Sequence, residues 1–179
     1  ELENVIQDKN VKIIFIASPG NPLGKVWTAG EMAALVSLSK KYGFYIVFDA
    51  VYEDIYFDRV SYNPLSLNHD KLFYVNSFSK MLSITGWRIG YLITGKDHMV
   101  KIRDIHDYTG LSAAPLFQRA IFEYLERYDF GKAYIDSVRK QCKTSFVFMK
   151  QALEKLGFSV PQIHGGYFLW AKLPGAYKD

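Results

Sequence analysis

The sequence has little of three things that mark specialised classes of protein: cysteine, long apolar runs and clustered charge. A single cysteine, Cys142, excludes an internal disulfide and is typical of a reducing compartment. The longest apolar runs, such as Ile13 to Ala17, are far shorter than the roughly 20 residues that span a bilayer. No basic, apolar and small-residue signal segment opens the chain. We therefore expect a cytoplasmic protein with no membrane partner.

The charge is basic but evenly spread. The net charge is +4 and the pI is near 9.0, yet the lysines and arginines alternate with acidic residues instead of forming one stripe. Nucleic acid is therefore not an expected partner. The flanks of Cys142, Val138 and Phe146, lie at helical spacing, which favours a packed core thiol over a nucleophile. The four histidines lack the spacing of metal ligands, so no metal site is predicted.

What is present is the composition of an α/β protein. With 179 residues, 49% apolar and 16% aromatic, the chain can bury a sizeable core. Short apolar runs bounded by turn or polar residues predict strands buried on both faces, as in a mostly parallel sheet covered by helices. The predicted strands run from Val11 to Ala17, from Phe44 to Phe48, from Leu72 to Asn76 and from Arg88 to Thr94.

A helix with well-marked ends is predicted between the first two strands. Thr28 and Glu31 form a capping-box pair at its start, and Gly43 can close its C-terminus. A strand, a helix and a strand in succession predict a right-handed crossover between parallel neighbours.

The second half of the sequence changes to helical patterns, in which apolar residues recur at three- and four-residue steps. These helices are predicted from Asp97 to Tyr108, from Pro115 to Arg127 and from Lys132 to Leu156. Gly157 follows the last helix as a stop, and Gly165 and Gly166 then turn the chain into a final predicted strand, Tyr167 to Leu173.

Polar side chains follow three predicted strands at the point where each strand ends. Asn21 follows the first strand, Asp49 ends the second, and Lys80 follows the third. Because ligands of open α/β sheets bind outside the carboxyl ends of the strands, we expect these three groups to face one ligand. Taken alone, Asn21 is ordinary turn chemistry, since its Asn-Pro-Leu-Gly motif is typical of a turn.

Asp49 and Tyr52 form a second pattern, a carboxylate at a strand end with a phenol three residues later. A buried carboxylate favours a protonated pyridine nitrogen by opposite charge, which an electron-sink cofactor requires. The simpler interpretation is that Asp49 caps a helix and Tyr52 is a core aromatic. The presence of Lys80 at the next strand end favours the cofactor interpretation.

Lys80 lies among small hydroxyl residues and is followed eight residues later by Arg88. An amine can condense with an aldehyde, while the hydroxyls of Ser77 and Ser79 and a planar guanidinium suit a phosphate. A lone lysine is more often a solvated surface residue. These neighbours instead predict a site for an aldehyde cofactor that carries a phosphate.

The stretch from Ser77 through Gly90 resembles, without a gap, the Schiff-base segment of class I and II aminotransferases, the fold-type I enzymes that use pyridoxal 5′-phosphate. The resemblance implies that Lys80 binds the cofactor covalently and, once freed, is the base at the substrate α-carbon. The cofactor-binding residues that it implies are Asn21 and Tyr52 at the ring hydroxyl, Asp49 at the ring nitrogen, and Ser77, Ser79 and Arg88 at the phosphate.

The resemblance also implies the activity and the organisation of the protein. The expected reaction transfers an amino group between an L-amino acid and a 2-oxo acid, in a homodimer. Residues 1–130 are expected to be part of the large cofactor-binding domain, and 131–179 to be an interdomain helix and the start of a smaller α+β domain. Both ends of the sequence look cut, so we expect it to be a fragment that does not catalyse alone. The absence of arginine between Arg103 and Arg119, where one aspartate-specific subgroup carries a substrate ligand, argues against aspartate as the substrate.

Two other functions share this constellation. Carbon-sulfur lyases and related fold-type I enzymes differ from aminotransferases in the substrate pocket rather than in Lys80, Asp49 or Arg88. Some transcription regulators carry an aminotransferase-like domain as a sensor behind a helix-turn-helix module. The sequence before Glu1 distinguishes the sensor, and product analysis distinguishes the lyase.

Overall fold

A four-stranded sheet in the order β1-β2-β3-β4 organises the first half of the chain. The structure, a computed structural model, describes residues 1–175. The strands are β1 (Ile13–Ala17), β2 (Tyr45–Asp49), β3 (Leu72–Ser77) and β4 (Gly90–Ile93). The first three are parallel, and β4 is antiparallel to β3. The predicted mostly parallel sheet is confirmed, and each boundary lies within two residues of its expected position.

One face of the sheet is packed more completely than the other. Along β2 and β3 fully buried residues alternate with half-buried ones, so that Ile46, Phe48 and Tyr74 face a dense core. Phe15 in β1 is 74% exposed. The sequence predicts burial on both faces, but α1 (Leu2–Asp8) and α2 (Ala29–Tyr42) supply the core from one side only.

The ends of α2 form as the sequence predicts. The Thr28 hydroxyl accepts a hydrogen bond from the Glu31 backbone N–H at 3.2 Å, and the Glu31 carboxylate accepts one from the Thr28 N–H at 2.8 Å. Gly43 follows with a φ of 78°, a left-handed conformation that favours glycine. This capping satisfies donors that a bare helix end leaves unpaired.

The second half is helical, and little of it is buried. A short helix, α3 (Phe78–Met81), directly follows β3, and the later helices are α4 (Lys96–Thr109), α5 (Pro115–Arg127) and α6 (Lys132–Lys155). Between α5 and α6 the chain breaks through a 3-10 turn in which Phe130 has a φ of 54°. Only Ile121 in α5 and Ile135 in α6 are fully buried among the described residues of these three long helices.

The prediction of a final strand from Tyr167 to Leu173 is wrong. Within residues 1–175 this segment makes a single strand-like bridge, from Lys172 to Ser159, and the bridge from Tyr56 goes to Gly165 just before it. Apolar and aromatic residues favour strands, but a strand needs a continuous ladder with a neighbour. The hydrogen bonds of the preceding turn go to loops instead, with the Gly166 N–H donating to the Ile55 carbonyl at 2.7 Å.

None of the helices described between residues 1 and 175 combines the length and the apolar character that crossing a membrane requires.

Candidate functional site

The carboxyl ends of β1, β2 and β3 lie side by side at one edge of the sheet. Ala17 is paired with Asp49, and Asp49 with Val75, so β1 and β2 end side by side and β3 continues two residues further, to Ser77. The pairing continues past the strands, because the Ser18 N–H donates to the Asp49 carbonyl at 3.0 Å and the Ala50 N–H to the Val75 carbonyl at 2.8 Å. Loops that leave these strands therefore start from the same place.

Lys80 is held at this edge by α3, which begins as soon as β3 ends. The Ser77 side chain caps the helix by accepting a hydrogen bond from the Ser79 N–H at 3.1 Å. The half-buried Lys80 then places its Nζ atom 5.8 Å from the centre of the Tyr52 ring and 5.7 Å from that of Tyr167. The amine thus lies next to two aromatic rings at the carboxyl edge.

Tyr52 is the centre of the cluster. It is only 6% exposed, and its ring packs edge-on against the rings of Tyr167 and Phe168, with centroids 5.2 and 5.8 Å away. Burial raises the pKa of the Tyr52 hydroxyl well above its usual value, Tyr167 and the Asp49 charge raise it further, and the Asn21 amide acts in the opposite direction. The phenol is therefore protonated at neutral pH and available as a hydrogen-bond donor.

Asp49 fixes a turn rather than a helix, so the interpretation of Asp49 as a helix cap is wrong. Its Oδ1 atom accepts a hydrogen bond from the Val51 N–H at 3.0 Å, which fixes the turn after β2. Its Oδ2 atom has no hydrogen-bond partner within residues 1–175, and the side chain is half-buried. One carboxylate oxygen supports the fold, and the other is open to a ligand.

The two serines form a hydroxyl pair. The Ser77 Oγ lies 2.8 Å from the Ser79 Oγ and 3.0 Å from the Ile89 carbonyl, and it has one proton to share between them. Ser79 is buried, whereas Ser77 is half-buried.

Arg88 lies at the far end of the loop that follows Lys80. Its backbone is left-handed, with a φ of 57°, a conformation that costs a non-glycine residue about 1–3 kcal/mol and that occurs often at functional sites. The guanidinium is exposed, and its hydrogen bond in the described structure goes to the Thr85 carbonyl at 3.1 Å rather than to the serines. The adjacent Ile89 carbonyl accepts from Phe78 N–H at 3.2 Å, so Arg88 starts from the same end of the sheet.

A buried polar cluster fixes the residue after Tyr52. The Glu53 carboxylate accepts hydrogen bonds from the Tyr74 hydroxyl, at 2.5 Å, and from the Asn76 amide. Burial raises the pKa of Glu53, while these two hydrogen bonds act in the opposite direction. Since Tyr74 and Asn76 belong to β3, the turn that carries Tyr52 is tied to the strand that leads to Lys80.

Tyr167 is the residue of the cluster that the sequence did not identify. Its place follows from the tight turn at Gly165, where a Cβ atom would lie 2.5 Å from the Ile55 carbonyl oxygen and 2.6 Å from Pro19 Cγ. Only glycine allows this approach, and it brings Tyr167 beside Tyr52. In the sequence, the Gly165-Gly166 pair indicates a turn at this point. It does not indicate which residues the turn brings Tyr167 against.

The chain matches the family model described as aminotransferase class I and II over residues 1–178. It is 33% identical to an aspartate aminotransferase of Thermotoga maritima over 98% of this chain and 45% of that protein. It is 34% identical to an uncharacterized HTH-type transcriptional regulator of Escherichia coli over 97% of this chain and 38% of that protein.

Solved structures give the same result. The N-succinyldiaminopimelate aminotransferase of Mycobacterium tuberculosis superposes with a TM-score of 0.84 at 28% identity, over 94% of this chain and 44% of the other. The chain therefore spans less than half the length of these relatives.

Proposed function

The chain belongs to the class I and II aminotransferase family, and from this premise we propose that the whole protein transfers an amino group between an L-amino acid and a 2-oxo acid with pyridoxal 5′-phosphate as cofactor. One observation carries the proposal: the Lys80 amine lies beside Tyr52 at the sheet edge where Asp49 ends its strand. Amine, phenol and carboxylate are the three groups that this chemistry needs together.

The residues present have the right chemistry for this cofactor. Asp49 keeps one carboxylate oxygen without a partner within residues 1–175, and Ser77 and Ser79 offer a pair of hydroxyls. Arg88 adds an exposed guanidinium, the group best suited to bind a phosphate through two parallel hydrogen bonds. When bound, pyridoxal phosphate supplies an aldehyde that captures amines and a protonated ring that withdraws electrons from the carbon beside them.

Lys80 has the central role in this mechanism. Its Nζ atom would bind the cofactor covalently in the resting protein. When free, the amine would be the base that accepts the proton of the substrate α-carbon and later returns it. The rings of Tyr52 and Tyr167, which lie beside this amine, would limit its position.

The remaining residues hold and orient the ring. The Asp49 carboxylate would keep a proton on the ring nitrogen by opposite charge. Tyr52, which remains protonated because burial raises its pKa, would donate a hydrogen bond to the ring oxygen, with the Asn21 amide beside it. Ser77, Ser79 and Arg88 would hold the phosphate, and the hydroxyls that now bond to each other would then turn to it.

The organisation of the whole protein is part of the proposal. We assign residues 1–130 to the large cofactor-binding domain, and 131–179 to the interdomain helix α6 and the start of a smaller domain. We propose that the whole protein is a homodimer in the cytoplasm and acts on small-molecule substrates.

A labelling experiment tests the cofactor site directly. The whole protein is incubated with pyridoxal phosphate, reduced with borohydride, digested and examined by mass spectrometry. We expect the label on the peptide that contains Lys80, and its absence there would overturn the proposal. Lys80→Ala should also lower transamination turnover by at least about 10³-fold, whereas Lys101→Ala, on the exposed surface of α4, should leave it unchanged.

Product analysis tests the reaction type and the substrate. An amino acid and a 2-oxo acid are mixed with the whole protein, with aspartate in the panel because the Thermotoga relative is named for it. A new amino acid is the expected product. Release of ammonia without one would indicate a lyase of the same fold.

A sensor domain of a transcription regulator is the second candidate, favoured by the name of the Escherichia coli relative. It would bind the cofactor through Lys80 as the enzyme does, so labelling does not distinguish the two. A helix-turn-helix segment before Glu1, together with labelling at Lys80 but no turnover, would favour the sensor.

A further inference from the structure

We propose that Tyr167 is a positioning residue for Lys80, and that its ring and the Tyr52 ring form an aromatic pair that holds the ε-ammonium at the edge of the sheet. This inference deepens the proposed function, in which Lys80 is the reactive amine. Tyr167 lies far along the chain from the lysine segment, in a region that the sequence assigned to a strand.

The geometry is that of a cation beside two rings that pack against each other. The Lys80 Nζ atom lies 5.8 Å from one ring centre and 5.7 Å from the other, both within the roughly 6 Å over which a cation is attracted to an aromatic face. The centres of the Tyr52 and Tyr167 rings are 5.2 Å apart and their planes are at 83°, so the two rings contact the same side of the ammonium as one packed pair. Among residues 1–175, Tyr52 and Tyr167 are the two aromatic residues whose rings lie within about 6 Å of the Lys80 Nζ atom.

The backbone around Tyr167 fixes its position. The His164 N–H donates to the Gly24 carbonyl at 3.0 Å, and the Gly166 N–H donates to the Ile55 carbonyl at 2.7 Å. Both acceptors lie in the loops that leave β1 and β2 at the same edge as the site. Tyr167 is therefore anchored to the loops that carry Asn21 and Tyr52, although its side chain is 44% exposed.

The ring and the hydroxyl of Tyr167 have separate effects. The ring faces Lys80, whereas the hydroxyl lies near that of Tyr52 and contributes to the raised pKa of Tyr52. A phenylalanine at this position would keep the first effect and lose the second. An aliphatic residue would lose both, which makes the two contributions separable by substitution.

The aromatic pair should control the reactivity of the free amine. A ring that attracts the ammonium holds it against the ring face, where it meets a dissolved electrophile less often. With the Tyr167 ring removed, Lys80 should react faster at a given pH. At partly exposed sites a cation–π contact changes the ratio of held to free ammonium by a few-fold, so a few-fold change in the rate of modification is expected.

The experiment measures Lys80 reactivity in the whole protein without cofactor. The protein is treated with trinitrobenzenesulfonate at pH 8, and modification of the Lys80 peptide is followed by mass spectrometry. We expect Tyr167→Leu to modify about 2- to 5-fold faster than the natural protein, and Tyr167→Phe to modify at an unchanged rate. Trp170→Leu is the matched control, because it removes a 55% exposed aromatic from the same segment and should have no effect.

A second pH separates attraction from simple shielding. Near pH 11, above the ordinary pKa of a lysine, the rates of Tyr167→Leu and the natural protein should converge if the ring acts by attracting the ammonium. A ratio that persists at high pH means that the ring only blocks access, and equal rates at pH 8 mean that the ring does not act on Lys80. Either result overturns the inference.

Two further measures keep the test decisive. Tyr167→Met replaces Tyr167→Leu if the leucine variant does not fold. Because no cofactor is present, the outcome is independent of the borohydride labelling, so failure of this inference and failure of the proposed function can be told apart.

Discussion

The half of the chain that carries β1 to β3 and the half that carries α4 to α6 bury their apolar residues very differently. Four of the 14 residues of α2 are buried, at Met32, Leu35, Val36 and Ser39, and they pack on a sheet whose central strands alternate buried and half-buried residues. In the 24 residues of α6 only Ile135 is buried. Apolar side chains on that helix, such as Phe148, are up to 71% exposed.

This difference explains where the candidate site lies. A dense core makes the strand ends rigid, and side chains placed there keep a defined geometry. Asp49, Tyr52 and Lys80 all lie at or just after the carboxyl ends of strands in the densely packed half. The sparsely buried half contributes to the site through one segment, residues 163–167, which is tied to the dense half by backbone hydrogen bonds.

The largest expected effect compares one phenylalanine from each half. Phe48→Ala should lower the free energy of unfolding of the whole protein by about 3–5 kcal/mol, because Phe48 is fully buried and its removal leaves a cavity beside Tyr74. Phe148→Ala should change it by about 0.5 kcal/mol or less, since the ring is exposed. Urea unfolding followed by fluorescence measures both. A similar loss for the two variants would break the comparison and show that another part of the protein covers α6.

An intermediate effect is expected where the two halves meet. Gly24 has a φ of 61°, and a Cβ atom there would lie 2.6 Å from Ile163 Cβ and 2.7 Å from the Gly165 carbonyl oxygen. Gly24→Ala should therefore cost about 2–3 kcal/mol of stability, and it should also increase Lys80 modification by displacing Tyr167. Gly30→Ala is the matched control, because nothing lies within 4 Å of its Cβ position in the first turn of α2. If Gly24→Ala is as stable as this control, the two halves do not meet at Gly24 as described.

The smallest effect is expected at the N-terminal cap of α2. This cap is a second difference between the two halves, because α4, α5 and α6 have no side-chain cap at their N-termini. The hydrogen bonds that Glu31 accepts from Lys25 and from Thr28 lower the pKa of Glu31 to about 2. A lowered pKa in the folded state stabilises the protein above the ordinary range of a glutamate, and this contribution is lost as the pH falls from about 4.5 toward 2. Because Lys25 and Glu31 are 48% and 40% exposed, solvent screening limits the loss to about 1 kcal/mol or less.

Glu31→Gln measures that contribution, because glutamine keeps the capping geometry without the charge. The difference in unfolding free energy between the natural protein and this variant should be largest near pH 6 and should shrink toward pH 2.5. A difference that is the same at both values would mean that the Glu31 charge does not act on the stability of α2.

The elements that the sequence predicted correctly are those whose signals are local. The capping pair Thr28 and Glu31 and the stop at Gly43 lie next to the helix that they bound, and β2 and β3 are short apolar runs that end at polar residues. The short helix α1 was not predicted, because its seven residues bury only Ile6 and hold too few turns for a periodic pattern.

The residues of the candidate site can also be divided into those with a local signal in the sequence and those without one. Asn21 and Lys80 were identifiable because each follows a strand, and Asp49 because it ends one. The structure places the carboxyl ends of these strands at one edge of the sheet. The place of Tyr167 beside the Tyr52 hydroxyl could not be predicted from spacing alone. The error at Tyr167 to Leu173 has the same origin, since strand propensity is local whereas a hydrogen-bonded partner is not.

The sequence by itself determined which residues end the parallel strands, where α2 begins and stops, and which amine, carboxylate and hydroxyls are available at the carboxyl edge. Tertiary structure alone decided that Tyr167 faces Lys80. That contact depends on hydrogen bonds between His164 and Gly24 and between Gly166 and Ile55, residues distant in the chain. Local propensity carries no information about such pairs, because they form only when loops from different parts of the fold meet at one edge of the sheet.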